Sequence, residues 1–228
     1  MSAFHKTIAN VRSALERKPA PTLMHDGAAV ASQPLSAAAR RAELTAQFAR
    51  ELERVGGIFL GSITESELRD RIAGTAQTIG AKSVVVGDGV TLDAGTVCKA
   101  LTRNAIDLIR PDRVRDDARA GLRDRIARSD LGVIEADYAI AATGTFCIVA
   151  TAKRPSSITI LPPVNFIVVA ADRILPTLAD VIAAVGPDQF ARRRVALITG
   201  PSRTADIEKM IVIGVHGPKE LYAASITA

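Results

Sequence analysis

The chain has 228 residues, 48% apolar and 23% charged, the proportions of a packed globular protein and not of a disordered one. Its formal net charge of +5 does not mark a nucleic-acid binder: 12 basic and 12 acidic residues are interleaved between Gly61 and Glu135, only Arg192–Arg194 is purely basic, and aromatic residues are 4% of the total, too few for base-stacking platforms. The longest apolar stretch, Ile158–Ala171, is broken by Pro162, Pro163 and Asn165 and falls short of the roughly 18 residues that cross a bilayer. Met1–Asn10 has no apolar signal core, so a cytoplasmic protein with no membrane span is expected.

In chain order, Phe4, Ile8, Val11 and Leu15 recur at helical spacing before Pro19, and the Ala- and Pro-rich stretch Pro19–Pro34 reads as a linker. Leu44, Phe48, Leu52 and Val55 lie on one face of a second helix that stops at Gly56–Gly57. Residues 1–56 are expected to form a helical appendage to an α/β domain spanning 57–228. Ile58–Leu60 predicts a short strand, Thr64-Glu65-Ser66-Glu67 a capping box that opens a helix, and Ser83–Val86 a buried strand. Arg113–Ser129 predicts a charged amphipathic helix.

Tyr138–Ala142 and Thr145–Ala150 predict strands on either side of Thr143-Gly144, and Ser157–Leu161 and Phe166–Ala170 strands around the Pro162-Pro163 break. Thr177–Val185 predicts a helix, Val195–Thr199 a strand and a further helix from Thr204; Ile211–Val215 and Leu221–Ile226 predict the last strands. This alternation implies a mostly parallel sheet with helices on both faces.

Four segments are candidates for chemistry. In ALITGPSRTADIEKM a strand would end at Thr199 and a helix open at Thr204, so that Gly200, Pro201, Ser202, Arg203 and Thr204 would form a loop above a strand end, where helix N-termini attract anions. Gly200 permits close approach of a ligand, Ser202 and Thr204 offer hydroxyls, and Arg203 offers a donor fork for a carboxylate or phosphate. A plain helix cap with a solvated Arg203 is the alternative. Thr143-Gly144-Thr145 would make either an anion cradle or an ordinary turn. His216, between Val215 and Gly217-Pro218, could serve as an acid, base or donor, or simply lock its loop. Asn165, after the rigid Pro162-Pro163 corner, could face the same crevice.

Two cysteines, Cys98 and Cys147, and three histidines without metal-binding spacing cannot supply a cluster or a zinc site. No metal or cofactor is expected in this chain. Neither a P-loop nor a nucleophile elbow is present.

Taken together, AATGTF, LPPVNF, ITGPSRTADIE and GVHGPKEL resemble the lactate-utilization protein C family, the short, cluster-free members of the LUD-domain group. The resemblance covers roughly Gly57 to the C-terminus. It implies a Rossmann-like α/β sandwich of the ribose-5-phosphate isomerase, glucosamine-phosphate deaminase and CoA-transferase superfamily, with N-terminal helices. It also implies a role in L-lactate utilization, in which lactate is oxidised to pyruvate alongside iron–sulfur partner subunits. Family members commonly carry an acidic residue where this chain has Ala142, and histidine is frequent where it has Asn165. Both departures weaken catalysis more than binding, unless Glu135 or Asp137 stands in for the missing carboxylate. Three readings follow: a component of a lactate-oxidising system that binds a small carboxylate or a partner subunit; a free-standing enzyme acting on a phosphosugar or acyl-CoA; or a structural or regulatory subunit.

Overall fold

A computed structural model describes residues 36–102, 106–111, 121–205, 211–214 and 217–227. Leu35–Ala228 form one compact unit. At its centre is a six-stranded, wholly parallel sheet made of β1 (Ile58–Ile63), β2 (Ser83–Val86), β3 (Asp107–Ile109), β4 (Leu131–Glu135), β7 (Val164–Ala170) and β12 (Glu220–Ile226). They are ordered β1-β12-β7-β4-β2-β3. Beyond β2 the chain runs outward to β3, whereas beyond β4 it turns back toward β7, so these two neighbours mark the switch point of the sheet.

Alternation along the strands sorts the core into two layers. Val84, Val86, Leu131, Val133, Phe166 and Val168 point to one face. There they meet α2 (Glu65–Thr78) through Leu68 and Ile72, and α3 (Ala94–Leu101) through Val97 and Leu101. The predicted capping box at α2 is present, with Thr64 and Glu67 each bonded to the other's backbone N–H.

Val85, Ile134, Ile167, Val169 and Leu221 point to the opposite face. Here the expected helices are largely replaced by a second, four-stranded sheet. It comprises β5 (Tyr138–Ile140), β6 (Thr145–Val149), β8 (Ile174–Leu175) and β9 (Val195–Ile198), ordered β8-β5-β6-β9. β6 is antiparallel to both β5 and β9. Two helices complete this layer, α1 (Ala37–Arg54) and α4 (Leu122–Ala127). α5 (Leu178–Val185), the helix predicted over Thr177–Val185, is capped by Thr177 and covers the outer side of the second sheet through Val181, and α6 (Pro187–Arg192) leads into β9.

α1 packs into the core. Phe48 and Leu52 are fully buried in the layer between the sheets, worth roughly 1.5–3 kcal/mol each by apolar burial, and Phe48 meets Phe146 edge-on at 5.0 Å. The helical segment before Gly57 is thus part of the compact unit, which includes residues on both sides of the expected 56/57 boundary.

Two local expectations change. Ser157–Leu161 does not form a strand; Ser156–Thr159 make a single 3-10 turn after Pro155, closed by the Thr159 hydroxyl on the Ser156 carbonyl. The helix expected from Thr204 is not seen at its start: Arg203–Ala205 form β10, antiparallel to β11 (Ile211–Ile213). Pairing with the β-branched Ile211-Val212-Ile213 outweighs the local helix signal of Thr204-Ala-Asp-Ile-Glu, whose remainder, 206–210, lies outside the described residues. So do the first helix and linker (1–34) and 112–120 of the predicted charged helix. No helix among the described residues is long and apolar enough to cross a membrane.

Candidate functional site

The residues singled out from the sequence converge, but not on a crevice above the strand ends. β9 belongs to the antiparallel sheet, and the loop that follows it meets the C-terminal end of α1. Gly200 (φ +73) has its α-carbon so close to Val55 that a β-carbon there would lie 2.7 Å from the Val55 carbonyl oxygen. Pro201 is buried beside Gly56. The Arg203 guanidinium donates from Nη2 to the Val55 carbonyl at 2.7 Å. Gly144 (φ +61) presses on the same helix one turn earlier, a β-carbon falling 2.3 Å from Leu52 N. Thr145 is buried and links the Thr143 and Thr199 hydroxyls, each at 2.7 Å. Ser202 donates its backbone N–H to the Pro218 carbonyl and accepts from Gly214 N–H, while Lys219 N–H donates to the Pro163 carbonyl.

Pro163, Lys219 and Gly57 each precede a parallel strand. The motif residues therefore gather at the amino edge of the main sheet. The end of α1 that they surround carries the negative pole of the helix, about half an elementary charge. That pole suits a cation and repels a carboxylate, and Arg203 already occupies it. Arg203→Ala is expected to cost about 1 kcal/mol, a fall in melting temperature of about 3 °C, measurable by thermal denaturation.

Asn165 is fully buried on β7, facing the second sheet; its Nδ2 donates to the Thr159 carbonyl at 2.8 Å, and its Oδ1 has no hydrogen-bond partner among the described residues. It locks the 3-10 turn against the sheet. Thr204 is seen only as backbone in β10, paired with Val212. His216 lies outside the described residues. Ala142 is exposed on its turn, and neither acidic neighbour is free to replace a carboxylate there. Glu135 accepts from the N–H groups of Thr91 and Leu92. Asp137 is bound to Arg154 at 2.7 Å and to the Val149 N–H. Cys147 is an inert core thiol, its pKa pushed up to about 11 by burial and by the charge of Asp137.

The other end of α1 borders an open crevice of about 1240 Å³. Ala38, Arg41, Ala42 and Thr45 form its helical wall; Ser62, Thr64, Ala170, Asp172 and Thr227 lie at the carboxyl ends of β1, β7 and β12. This is the edge where ligands of open α/β sheets bind. From Arg41 to Val55 the helix rises by roughly 21 Å, so crevice and motif cluster are separate places.

A β-bulge shapes the crevice floor. Phe59 pairs with Ala223 but Ser62 with Ser225, so β1 holds one extra residue, with Gly61 at φ +97. The insertion moves Ile63 into the layer facing α2 and turns Ser62 to the opposite face, where its hydroxyl is 2.8 Å from that of the fully buried Ser225. Glu67, the capping-box carboxylate of α2, is held below the usual carboxylate range by the backbone and hydroxyl hydrogen bonds of Thr64.

By itself the Thr64-Glu65-Ser66-Glu67 pattern marks only a helix start. The signal for a site was the adjoining Gly61-Ser62-Ile63-Thr64, a glycine inside a strand immediately before a helix.

The LUD domain model matches residues 45–223, most of the chain. The chain belongs to the LUD domain family. The matched span of the LUD domain begins within α1, ends within β12, and takes in the other strands of both sheets and the whole motif cluster. Among relatives, the chain is 33% identical over 100 residues to the uncharacterized protein YkgG of Escherichia coli (strain K12), 42% of this chain and 43% of that protein. It is 29% identical over 101 residues to lactate utilization protein C of Halalkalibacterium halodurans, 42% of this chain and 44% of that protein. These alignments thus span less than half of either relative. Lactate utilization protein C of Anoxybacillus flavithermus is 26% identical over 162 residues, 71% of each chain. The crystal structure of a DUF162 family protein from Deinococcus radiodurans superposes with a TM-score of 0.60 at 21% identity, covering 85% of this chain and 99% of that one. It shares the Rossmann-like α/β fold.

Proposed function

We propose that this chain is a component of an L-lactate-utilization system that oxidises lactate to pyruvate, and that it holds a small carboxylate in the crevice at the carboxyl edge of the main sheet. The observation that carries this reading is membership of the LUD domain family together with relatives named lactate utilization protein C, one of them matched over 71% of both chains. Arg41 and the backbone N–H groups of Glu65 and Ser66 in the first turn of α2, which have no carbonyl of their own helix to meet, would anchor the carboxylate. Oxidation of lactate removes two electrons with two protons. Both cysteines are buried, on separate elements, α3 and β6, so the electron acceptor is assigned to iron–sulfur partner subunits in the cytoplasm.

The test is genetic. Deleting the gene in the organism that encodes the chain should abolish growth on L-lactate and leave growth on pyruvate intact, with rescue by the wild-type gene. Undiminished growth on L-lactate would contradict the reading.

A further inference from the structure

The crevice walls differ from those of a simple anion pocket. Six hydroxyl side chains face it: Thr45, Ser62, Thr64, Ser66, Thr91 and Thr227. Four of them have their protons committed to the protein. Thr45 donates to the Arg41 carbonyl and Thr227 to the Ile63 carbonyl. Thr64 donates to the Glu67 carboxylate at 2.9 Å. Since that uses the only Thr64 proton, the 2.9 Å contact between Thr64 and Ser66 must be made by the Ser66 proton. Thr64 also accepts from the Glu67 N–H and from Ser66, which uses both its lone pairs; the other three hydroxyl oxygens, having donated inward, keep lone pairs for a ligand. Glu65 and Asp172 add two carboxylates to the same walls, against one guanidinium, Arg41. The lining is thus rich in acceptors and poor in cations. A polyanion would be repelled, whereas a ligand with many hydroxyl donors would be matched group for group. The volume of about 1240 Å³ also exceeds the roughly 300–1,000 Å³ typical of pockets for drug-sized molecules, far more than a three-carbon acid fills.

We infer that the crevice takes a polyhydroxylated ligand carrying a single anionic group, its hydroxyls donating to Asp172, Glu65 and the Thr45 and Thr227 oxygens and its anion meeting Arg41. The inference rests on the proposed carboxylate site and specifies what else the ligand must bear.

Calorimetric titration of the full chain with pyruvate, which has a carboxylate and no hydroxyl, and with gluconate, which has a carboxylate and a chain of hydroxyls, tests it. Gluconate is expected to bind at least about tenfold more tightly than pyruvate. Asp172→Asn and Thr227→Val should each weaken gluconate by about fivefold, the effect of one hydrogen bond, and neither should weaken pyruvate. Both positions are exposed, and circular dichroism would confirm that the variants fold. Equal affinity for the two acids, or gluconate binding indifferent to both substitutions, would overturn the polyol assignment while the carboxylate site stands. Sorbitol binding as tightly as gluconate would overturn the single-anion part. Binding of neither acid would overturn the inference and the crevice reading together.

Discussion

Gly144→Ala is expected to lower the melting temperature by about 10 °C. Two costs add at this position. At φ +61 an L-residue is strained by about 1–2 kcal/mol. The new methyl would also lie 2.3 Å from Leu52 N and 2.6 Å from the Glu51 carbonyl carbon, which are helix backbone and cannot swing aside as a side chain would. Overpacking of this kind costs about 1–3 kcal/mol, and each kcal/mol moves the transition by about 3 °C in a chain of this size. Gly61→Ala is the matching control. Its φ is +97 but no atom lies within 4 Å of the added β-carbon, so only the strain remains and the fall should be smaller, about 3–6 °C. Similar losses at the two glycines would show that contact with α1 is not what fixes Gly144.

Asp137→Ala should destabilise the chain by about 3 kcal/mol. The Arg154 side chain is 8% exposed and spans the end of β4, donating Nη1 to the Glu135 carbonyl and Nη2 to the Asp137 carboxylate and the Val149 carbonyl. Removing the carboxylate leaves a buried guanidinium without its counter-charge and the Val149 N–H without an acceptor, the costly way to break such a pair. Because Asp137 is itself 25% exposed, the loss belongs at the low end of the range for buried pairs. Denaturant melts of the single variant and of Asp137→Ala with Arg154→Met separate the terms: the double variant should recover part of the loss, since an apolar side chain leaves no uncompensated charge. A double variant weaker than the single one would mean that the guanidinium holds the loop by packing alone.

Four strands of the main sheet, β1, β2, β7 and β12, were legible because each is a short apolar run bounded by turn residues, and the Thr64 cap because Thr followed three residues on by an acid is a local signal; β3, only three residues long, and β4, interrupted by Gly132 directly after a charged stretch, were not. The second sheet was not. Thr143-Gly144 marks a turn or a kink between Tyr138–Ile140 and Thr145–Val149, but nothing local states that the two pair with each other and with Val195–Ile198 instead of joining the parallel sheet. That single ambiguity moved the site. Read as a parallel strand leading to a helix, Val195–Thr204 makes an anion loop at a carboxyl edge; read as the edge of an antiparallel sheet, it delivers Arg203 to the end of α1. Gly200 reads as a close-approach position and Gly144 as part of a turn, but at both the approaching group is this chain's own helix. Ser62 was invisible as a site residue because an unbroken period of two would aim it at the other face; only the extra residue at Gly61 turns it toward the crevice.

The separation of the motif cluster from the ligand crevice is tested most directly by ligand-induced thermal shift in two variants, with gluconate and pyruvate as probes. A ligand that binds only the folded chain raises its melting temperature by mass action. Arg203→Ala should begin from a lower melting temperature and show the same ligand-induced rise as the wild type. Arg41→Ala, on the exposed crevice face of α1, should begin near the wild-type temperature and lose the rise. The opposite pattern, a rise kept in Arg41→Ala and lost in Arg203→Ala, would place the ligand at the amino edge and contradict the account.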